Sequence, residues 1–355
     1  MCAGNIGLIS SKGIDREKDE RLRINTLKLN FNNNPMKAIL HTRYGPPDVL
    51  HLAEVPKPTP KDHELMIRIH ATTVNRTDCG FRSAEYVISR LFSGLLKPKN
   101  QILGSEFAGT IEEIGTGVTS YKVGDAVFGY NDATFGAYAE YCVLPENACI
   151  APLPRNFTFE EAAPICEGAH YALCDIRAAK ITRGQRVLVN GGTGAIGSAA
   201  VQLLKHFGAW VTAVCATPHL ELVRSLGADV VIDYTREDFT QLDEKFDVVF
   251  DAVGKSSFTT CKKILTKRGI YMSTELGTNG SNVWLALITP FLGGRKVLFP
   301  IPTSTREDVI FLRELVEIGA YKPVIDRTYR LEELVDATRY VETGQKVGNV
   351  VITVV

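Results

Sequence analysis

The stretch Arg186–Cys215, RVLVNGGTGAIGSAAVQLLKHFGAWVTAVC, decides the fold. Its first five residues, RVLVN, read as a buried strand. Ile196, Ala199, Ala200, Leu203, Leu204 and Phe207 then recur at the spacing of one helix face. Between strand and helix, Gly192, Gly194 and Gly197 spell G-x-G-x-x-G. A tight strand-to-helix turn needs a residue free of Cβ strain. Close approach of a pyrophosphate to backbone N–H groups needs a second, and helix-on-strand contact a third. Phosphates there would meet unpaired N–H groups and the positive end of the helix dipole. The apolar run WVTAVC, residues 210–215, supplies the second strand that this fingerprint requires. Gly192, Thr193, Gly194, Ala195, Ile196 and Gly197 are therefore the expected contacts to a dinucleotide. A purely structural glycine turn is the alternative.

The second strand ends on Cys215, where NAD-binding folds usually place an acid that accepts hydrogen bonds from the ribose hydroxyls. A neutral thiol neither accepts those bonds nor repels a 2′-phosphate. Thr217, His219 and Arg224 follow within two turns, so NADPH is the expected coenzyme. The plainer roles are a helix cap for Thr217 and a solvated surface charge for Arg224.

The same rhythm extends outward. Apolar strands at 186–190, 210–215, 229–232, 247–251, 269–274 and 296–299 alternate mostly with amphipathic helices, the pattern of a doubly wound parallel sheet. From Met36 to about Thr158 the chain instead shows short β runs, KAILHTRYG, ELMIRIHATTV, FAGTIEEIG and AYAEYCVLP, separated by turns such as GPPD. That reads as an irregular, mostly antiparallel β domain. Thr158 with Glu161 has the form of a capping box opening a helical stretch toward Ala179. REDVIFLRELVEIGA reads as a further helix, and GNVVITVV as a strand returning to the first domain. Residues 1–35 are polar and mixed in charge and read as a flexible extension; Asp15, Glu17, Asp19 and Glu20 argue against a transit peptide.

Composition excludes other classes. Of 355 residues, 40 are Lys or Arg and 40 are Asp or Glu, so no basic excess invites nucleic acid or an anionic membrane surface. No apolar run approaches the ~20 residues of a membrane span. The eight cysteines are scattered, with no C-x-x-C pair and no zinc-site spacing. They read as reduced thiols of a cytoplasmic protein.

From Met36 onward the chain resembles the medium-chain dehydrogenase/reductase superfamily, specifically its zinc-free quinone oxidoreductase branch. The segments that carry the resemblance are VNRTDCGFRSAEY, ILGSEFAGTIEEIGTGVTSYKVGDAVFG, GAYAEY, EGAHYAL, VLVNGGTGAIGSAAVQL, LGADVVIDY and TGQKVGNVVITV, in family order. The resemblance implies an α/β protein: a GroES-like, β-rich catalytic domain at 36–162 and 305–355, around a Rossmann NADP-binding domain at 163–304. The active site would lie in the cleft between them. Where zinc-dependent relatives carry their ligands, this chain places Asn75, Ser105 and about Glu167, and the four-cysteine lobe is missing. The resemblance therefore implies zinc-free reduction of a small quinone or α,β-unsaturated carbonyl, and often a homodimer joined through the last Rossmann strand, here near 296–301. An enoyl-thioester reductase and a non-catalytic NADPH-binding protein of RNA-binding or lens type are the competing readings.

The resemblance also assigns residues. Asn75 and Tyr86 are the candidate donors to the substrate oxygen, with Gly80 where the branch often has another tyrosine. His170 or Tyr171 is expected beneath the nicotinamide, Tyr234 near the adenosine phosphate, and Lys346 at the coenzyme phosphate. Each has a plainer alternative: a backbone hydrogen bond for Asn75, a core aromatic for Tyr86, a structural histidine, an exposed lysine. Asp78 reads as organising its loop. The segment 86–101 reads as either a lid or core.

Overall fold

The computed structural model describes residues 35–84 and 90–354; Tyr86 and the extension through residue 34 lie outside them. Fifteen strands form three sheets among the described residues. Strands β1 (Pro35–His41) and β2 (Leu50–Pro56) make an antiparallel pair. A seven-stranded sheet takes β3 (Glu64–Val74), β4 (Glu106–Ile114), β5 (Ala126–Tyr130), β6 (Tyr141–Pro145), β7 (Ile150–Pro152), β14 (Ile325–Arg330) and β15 (Asn349–Thr353). Its pairings are antiparallel except β14 with β15. The returning strand is as the sequence indicates: Val350–Thr353 pair antiparallel with Val74–Ala71.

The third sheet holds β8 (Arg186–Asn190), β9 (Trp210–Cys215), β10 (Val230–Asp233), β11 (Phe246–Asp251), β12 (Leu265–Ser273) and β13 (Lys296–Leu298). All its pairings are parallel, in the order β10-β9-β8-β11-β12-β13. Both faces are covered, which explains the near-continuous apolar runs. The order reverses between β8 and β11, so the ligand crevice of such a sheet opens beyond their carboxyl ends. There Asn190 Nδ2 donates to Asp251 Oδ1 at 3.0 Å.

Five helices position the site: α1 (Arg76–Ser83), α2 (Phe159–Ala162), α3 (Glu167–Ala179), α4 (Ala195–His206) and, bridging the sheets, α5 (Arg306–Glu317). The capping box at Thr158 and Glu161 is present, but the stretch to Ala179 is not one helix. A single tight turn at Ala163–Ile165 separates α2 from α3. Pro164 lacks the N–H a continuous helix needs, and it re-aims α3.

Helix α4 is buried beyond its predicted face. Leu203 and Leu204 are fully buried, each worth roughly 1.5–3 kcal/mol. Val201 and Gln202 are buried as well, because α4 is covered on more than one side. Gln202 Nε2 donates to the Lys322 carbonyl at 3.0 Å, and the Lys322 amide returns a bond to Gln202 Oε1 at 2.9 Å. One apolar cluster runs from Ala71, Ala108 and Phe128 of the seven-stranded sheet through α3, α4 and α5 to Val187 and Val189 of the parallel sheet. The two sheets thus share a core, with the crevice at their junction. Of the 86–101 segment, Leu95 and Leu96 are exposed; residues 85–89 lie outside the described residues.

Candidate active site

The glycine turn is built as a phosphate cradle. The amides of Gly191 and Gly192 both donate to the Val214 carbonyl, at 3.1 and 3.0 Å, tying the turn to β9. The residue that needs a left-handed backbone is Gly191, with φ +86°, not Gly192. Gly192 is favoured by tight packing instead: a Cβ there would lie 3.2 Å from the Ala213 methyl. A side chain on Gly197 would collide with the Gly191 carbonyl, so the third glycine has its expected role. Gly194 is the N-cap of α4 and offers no side-chain cap. A Cβ there would meet only the Gly191 carbonyl oxygen, at 3.8 Å. The mouth of the helix is therefore open space faced by the uncapped amides of Ala195, Ile196 and Gly197, which fits a diphosphate.

Two other segments converge on this turn. Gly168 of α3 sits so close to α4 that a Cβ would fall 2.7 Å from the Ala195 carbonyl. From the C-terminal side, the Gly348 amide donates to the Thr193 carbonyl at 2.7 Å, and Lys346 Nζ donates to the Gly348 carbonyl at 2.6 Å. Lys346 is thereby beside the glycine turn. Burial pulls its ammonium below the usual lysine range, and the nearby Glu167 opposes that shift.

The outer ribose end differs from the sequence reading. Cys215 is buried at the end of β9, and burial pushes its thiol up to about 11. Strand register sets Asp233 of β10 directly beside it. An acid is therefore present after all, contributed by the neighbouring strand, where strand-by-strand reading does not look for it. Its carboxylate is already engaged. Asp233 Oδ2 accepts the Thr217 hydroxyl at 2.5 Å, and Oδ1 accepts the Thr235 amide and hydroxyl. These bonds hold Asp233 below the usual carboxylate range. Arg236 lies 3.5 Å from it and is largely exposed. The Tyr234 ring is 59% exposed, with its amide on the Cys215 carbonyl. His219 is half-buried in the following turn, and Arg224 pairs with Glu221.

On the other wall, Asn75 is buried and caps α1. Its Oδ1 accepts the Asp78 amide at 2.8 Å, and its Nδ2 donates to Ser105 Oγ at 2.9 Å. A second contact, to Thr73 Oγ1 at 3.5 Å, is long for a hydrogen bond. Asp78 Oδ2 accepts the Tyr138 hydroxyl at 2.9 Å while Oδ1 has no partner, and burial pushes this acid up to about 7.

Beneath Asn75 lie two buried glutamates. Glu106 Oε1 accepts the Cys166 and Glu167 amides at 3.0 and 2.5 Å, and Oε2 accepts the Thr73 hydroxyl at 2.7 Å. Burial and the Glu167 charge push Glu106 up to about 8. Burial likewise raises Glu167, which accepts the Thr77 hydroxyl at 2.9 Å. Thr77 in turn lies 3.1 Å from the Tyr171 hydroxyl. His170, buried between Tyr130 and Tyr171, has no partner for Nε2, and burial lowers its basicity.

A dehydrogenase zinc does not fit this wall. Asn75 and Ser105 are neutral and bonded to each other, and Glu167 at the third position is a single buried carboxyl already bonded to Thr77. Among the described residues no group of three or more His, Cys, Asp or Glu could hold a metal ion. The structure thus links Asn75 and its helix through Thr77 and Glu167 to the start of α3, which packs on the glycine turn, and sets Lys346 beside that turn; His170 is buried in α3, and Thr217, His219 and Tyr234 lie around the end of β9. Tyr86 falls outside the described residues. Sequence reading did not anticipate Glu106, Thr77 or Asp233 as members of the site.

Comparison with known proteins agrees with this architecture. Residues 61–155 match the alcohol dehydrogenase GroES-like domain, and residues 226–352 match a family described as zinc-binding dehydrogenase. The chain is 36% identical to the 2-methylene-furan-3-one reductase of Solanum lycopersicum, over 89% of this chain and 79% of that one. It is 32% identical to the chloroplastic NADPH-dependent alkenal/one oxidoreductase of Arabidopsis thaliana, with the same coverage. The quinone oxidoreductase of Coxiella burnetii superposes with a TM-score of 0.80 at 27% identity, covering 91% of this chain and all of that one.

Proposed function

The chain belongs to the medium-chain dehydrogenase/reductase superfamily, and from that premise we propose that it reduces quinones or α,β-unsaturated carbonyls with NADPH and without zinc. The observation that carries this reading is the open cradle at Gly194, faced by uncapped helix amides and flanked by Gly348, whose amide bonds to Thr193. The coenzyme would rest its diphosphate on Ala195, Ile196 and Gly197. When bound, the reduced nicotinamide supplies hydride; the protein supplies orientation and charge stabilisation. Conjugated acceptors suit the cleft because they need no Lewis acid to become electrophilic. Negative charge develops on the substrate oxygen, where a fixed neutral donor is effective. Asn75 is held by its cap and its Ser105 bond, and its second amide hydrogen, whose contact to Thr73 is long at 3.5 Å, would turn to that oxygen. Tyr86 stays a second candidate donor from sequence alone.

Preference for NADPH is supported by the NADPH-dependent relative and by Asp233, whose acceptor capacity is consumed by Thr217 and Thr235. Exposed Arg236 then stands beside the ribose end to meet a 2′-phosphate. Titration of coenzyme fluorescence is expected to give tighter binding of NADPH than NADH, with no zinc in the same sample. The reverse order or stoichiometric zinc would overturn the respective point. Loss of NADPH absorbance should be seen with a benzoquinone or a short enone, and a crotonyl thioester separates out the enoyl-reductase reading. Inactivity with all three sinks the proposal.

A homodimer is proposed through the outer edge at β13. The neighbouring helix Ser281–Leu292 exposes Trp284, Leu287, Ile288 and Phe291, a contiguous apolar face beyond what a monomer usually leaves wet. Light scattering should give twice the chain mass, and Phe291→Glu should halve it. The cytoplasm is the proposed compartment, supported by seven free cysteines among the described residues. Fractionation that recovers the protein in an organelle would refute it.

A further inference from the structure

Reduction of a conjugated carbonyl or quinone leaves one proton to be supplied by something other than the coenzyme. The structure holds a buried chain of hydrogen-bonding groups that no step above uses. Glu167 opens α3, Thr77 lies in the first turn of α1, and Tyr171 stands one helical turn beyond Glu167 on α3. Thr77 Oγ1 contacts Glu167 Oε1 at 2.9 Å and the Tyr171 hydroxyl at 3.1 Å, bridging the two helices. The start of α3 packs on the start of α4 at Gly168 and Ala195, so this chain lies beside the coenzyme cradle.

We propose that Glu167, Thr77 and Tyr171 form the proton relay of the reductase, with Tyr171 delivering the proton to the substrate oxygen. The proposal rests on the reductase reading. The Tyr171 O–H bond breaks as an O–H bond forms on the substrate oxygen. Thr77 donates to Glu167 while that acid is ionised; once Glu167 is protonated the hydroxyl turns to donate to Tyr171, so the Thr77 proton passes to the Tyr171 oxygen and the Glu167 carboxylic proton passes to Thr77. Glu167 is left as a carboxylate beside the Lys346 ammonium, and water returns the proton between turnovers. Hydroxyls suit the middle of such a chain because each both donates and accepts.

The surroundings explain why a proton is kept there. Glu106 and Asp78 face Glu167 with like charge, and burial disfavours ionisation. Lys346 and the hydrogen bonds from Thr77 oppose that, without outweighing burial, and the rings of Tyr130, Tyr171 and Tyr321 complete the wall. Two carboxyls this close share protons as a pair, so the store stays filled above the usual carboxylate range.

The test uses the full chain, saturating NADPH and a quinone or enone acceptor, with kcat followed across neutral to alkaline pH. Thr77→Val is isosteric and cuts the relay; Thr77→Ser keeps the hydroxyl. Thr77→Val and Tyr171→Phe are expected to lose about 100-fold in kcat, the usual worth of a positioned proton donor, with NADPH fluorescence titration unchanged. Thr77→Ser is expected to recover most of the rate. Wild-type kcat should fall toward alkaline pH as the store empties, and Thr77→Val should abolish that dependence. Should Thr77→Val melt early, Tyr171→Phe, whose ring keeps its packing on His170, decides alone. An active wild type with a Thr77→Val variant of unchanged rate and pH profile overturns the relay. So do equal losses in Thr77→Val and Thr77→Ser. A wild type inactive on every acceptor overturns the reductase reading itself.

Discussion

Gly194→Asp is expected to weaken NADPH binding by at least about 100-fold while leaving the melting temperature unchanged or slightly raised. The two effects have opposite signs because the position serves a ligand and not the fold. Gly194 has φ −67° and ψ 169°, an extended geometry that any residue adopts, so the substitution costs no backbone strain. A Cβ there has room, with only the Gly191 carbonyl oxygen at 3.8 Å. Aspartate is a preferred N-cap and would accept the orphan amides of α4, worth a few tenths of a kcal/mol over glycine. The same carboxylate would occupy the cradle and face the diphosphate with like charge. At about 4 Å and an effective dielectric constant near 20 that repulsion approaches ~4 kcal/mol, enough for two to three powers of ten in affinity. Gly194→Ala, which adds bulk without charge, should lose far less. Fluorescence titration and a thermal melt on one sample separate the alternatives. A Gly194→Asp variant that binds NADPH normally would mean that the open helix mouth is structural only.

The parallel sheet was legible because its signal is local. Each of its six strands is an apolar run a few residues long with turn chemistry on both sides, and the structure places strands on all six. The β-rich half was harder: β2, β5, β7 and β14 were not anticipated, since LHLAEVP and IDRTYR alternate weakly and AVFGY and IAP are short. The break at Pro164 was readable, for proline inside a helical pattern ends it. Site residues divide the same way. Glycines with a fixed local spacing make the turn that the sequence indicates, whereas Lys346, named by the resemblance, comes near it only through the Gly348 bond to Thr193. Asp233 reaches Cys215 only through strand register, and Glu106 meets Cys166 across 60 residues of chain. No periodicity reports such a contact. A lone acid at the start of an apolar strand looks like an ordinary polar edge until the fold surrounds it.

That surrounded acid carries the second large effect. Glu106→Ala is expected to destabilise the protein by about 3–5 kcal/mol, read as a lower denaturant midpoint. It removes the acceptor of two backbone amides and of the Thr73 hydroxyl and leaves a void among fully buried groups. Glu106→Gln keeps a carbonyl oxygen for the Cys166 and Glu167 amides, and its NH2 can donate to Thr73 Oγ1, so its cost at neutral pH should be small. The pH dependence then isolates the proton. Folded Glu106 holds its proton up to about 8, whereas an unfolded glutamate releases it near ~4.3. The folded state binds more protons, so the stability from this group is fully present below the unfolded value and is lost as pH rises through about 8. Wild-type stability should therefore decline from mildly acidic to mildly alkaline pH, by an amount on the order of 2–4 kcal/mol for a shift of this size. The Gln variant should follow a flatter course over the same range. Removing the Glu106 charge also relieves Glu167, whose proton should then leave at lower pH, carrying the alkaline fall of kcat with it. A Gln variant as pH-sensitive as wild type would show that Glu106 is ionised throughout, and that the proton between the two glutamates belongs to Glu167 alone.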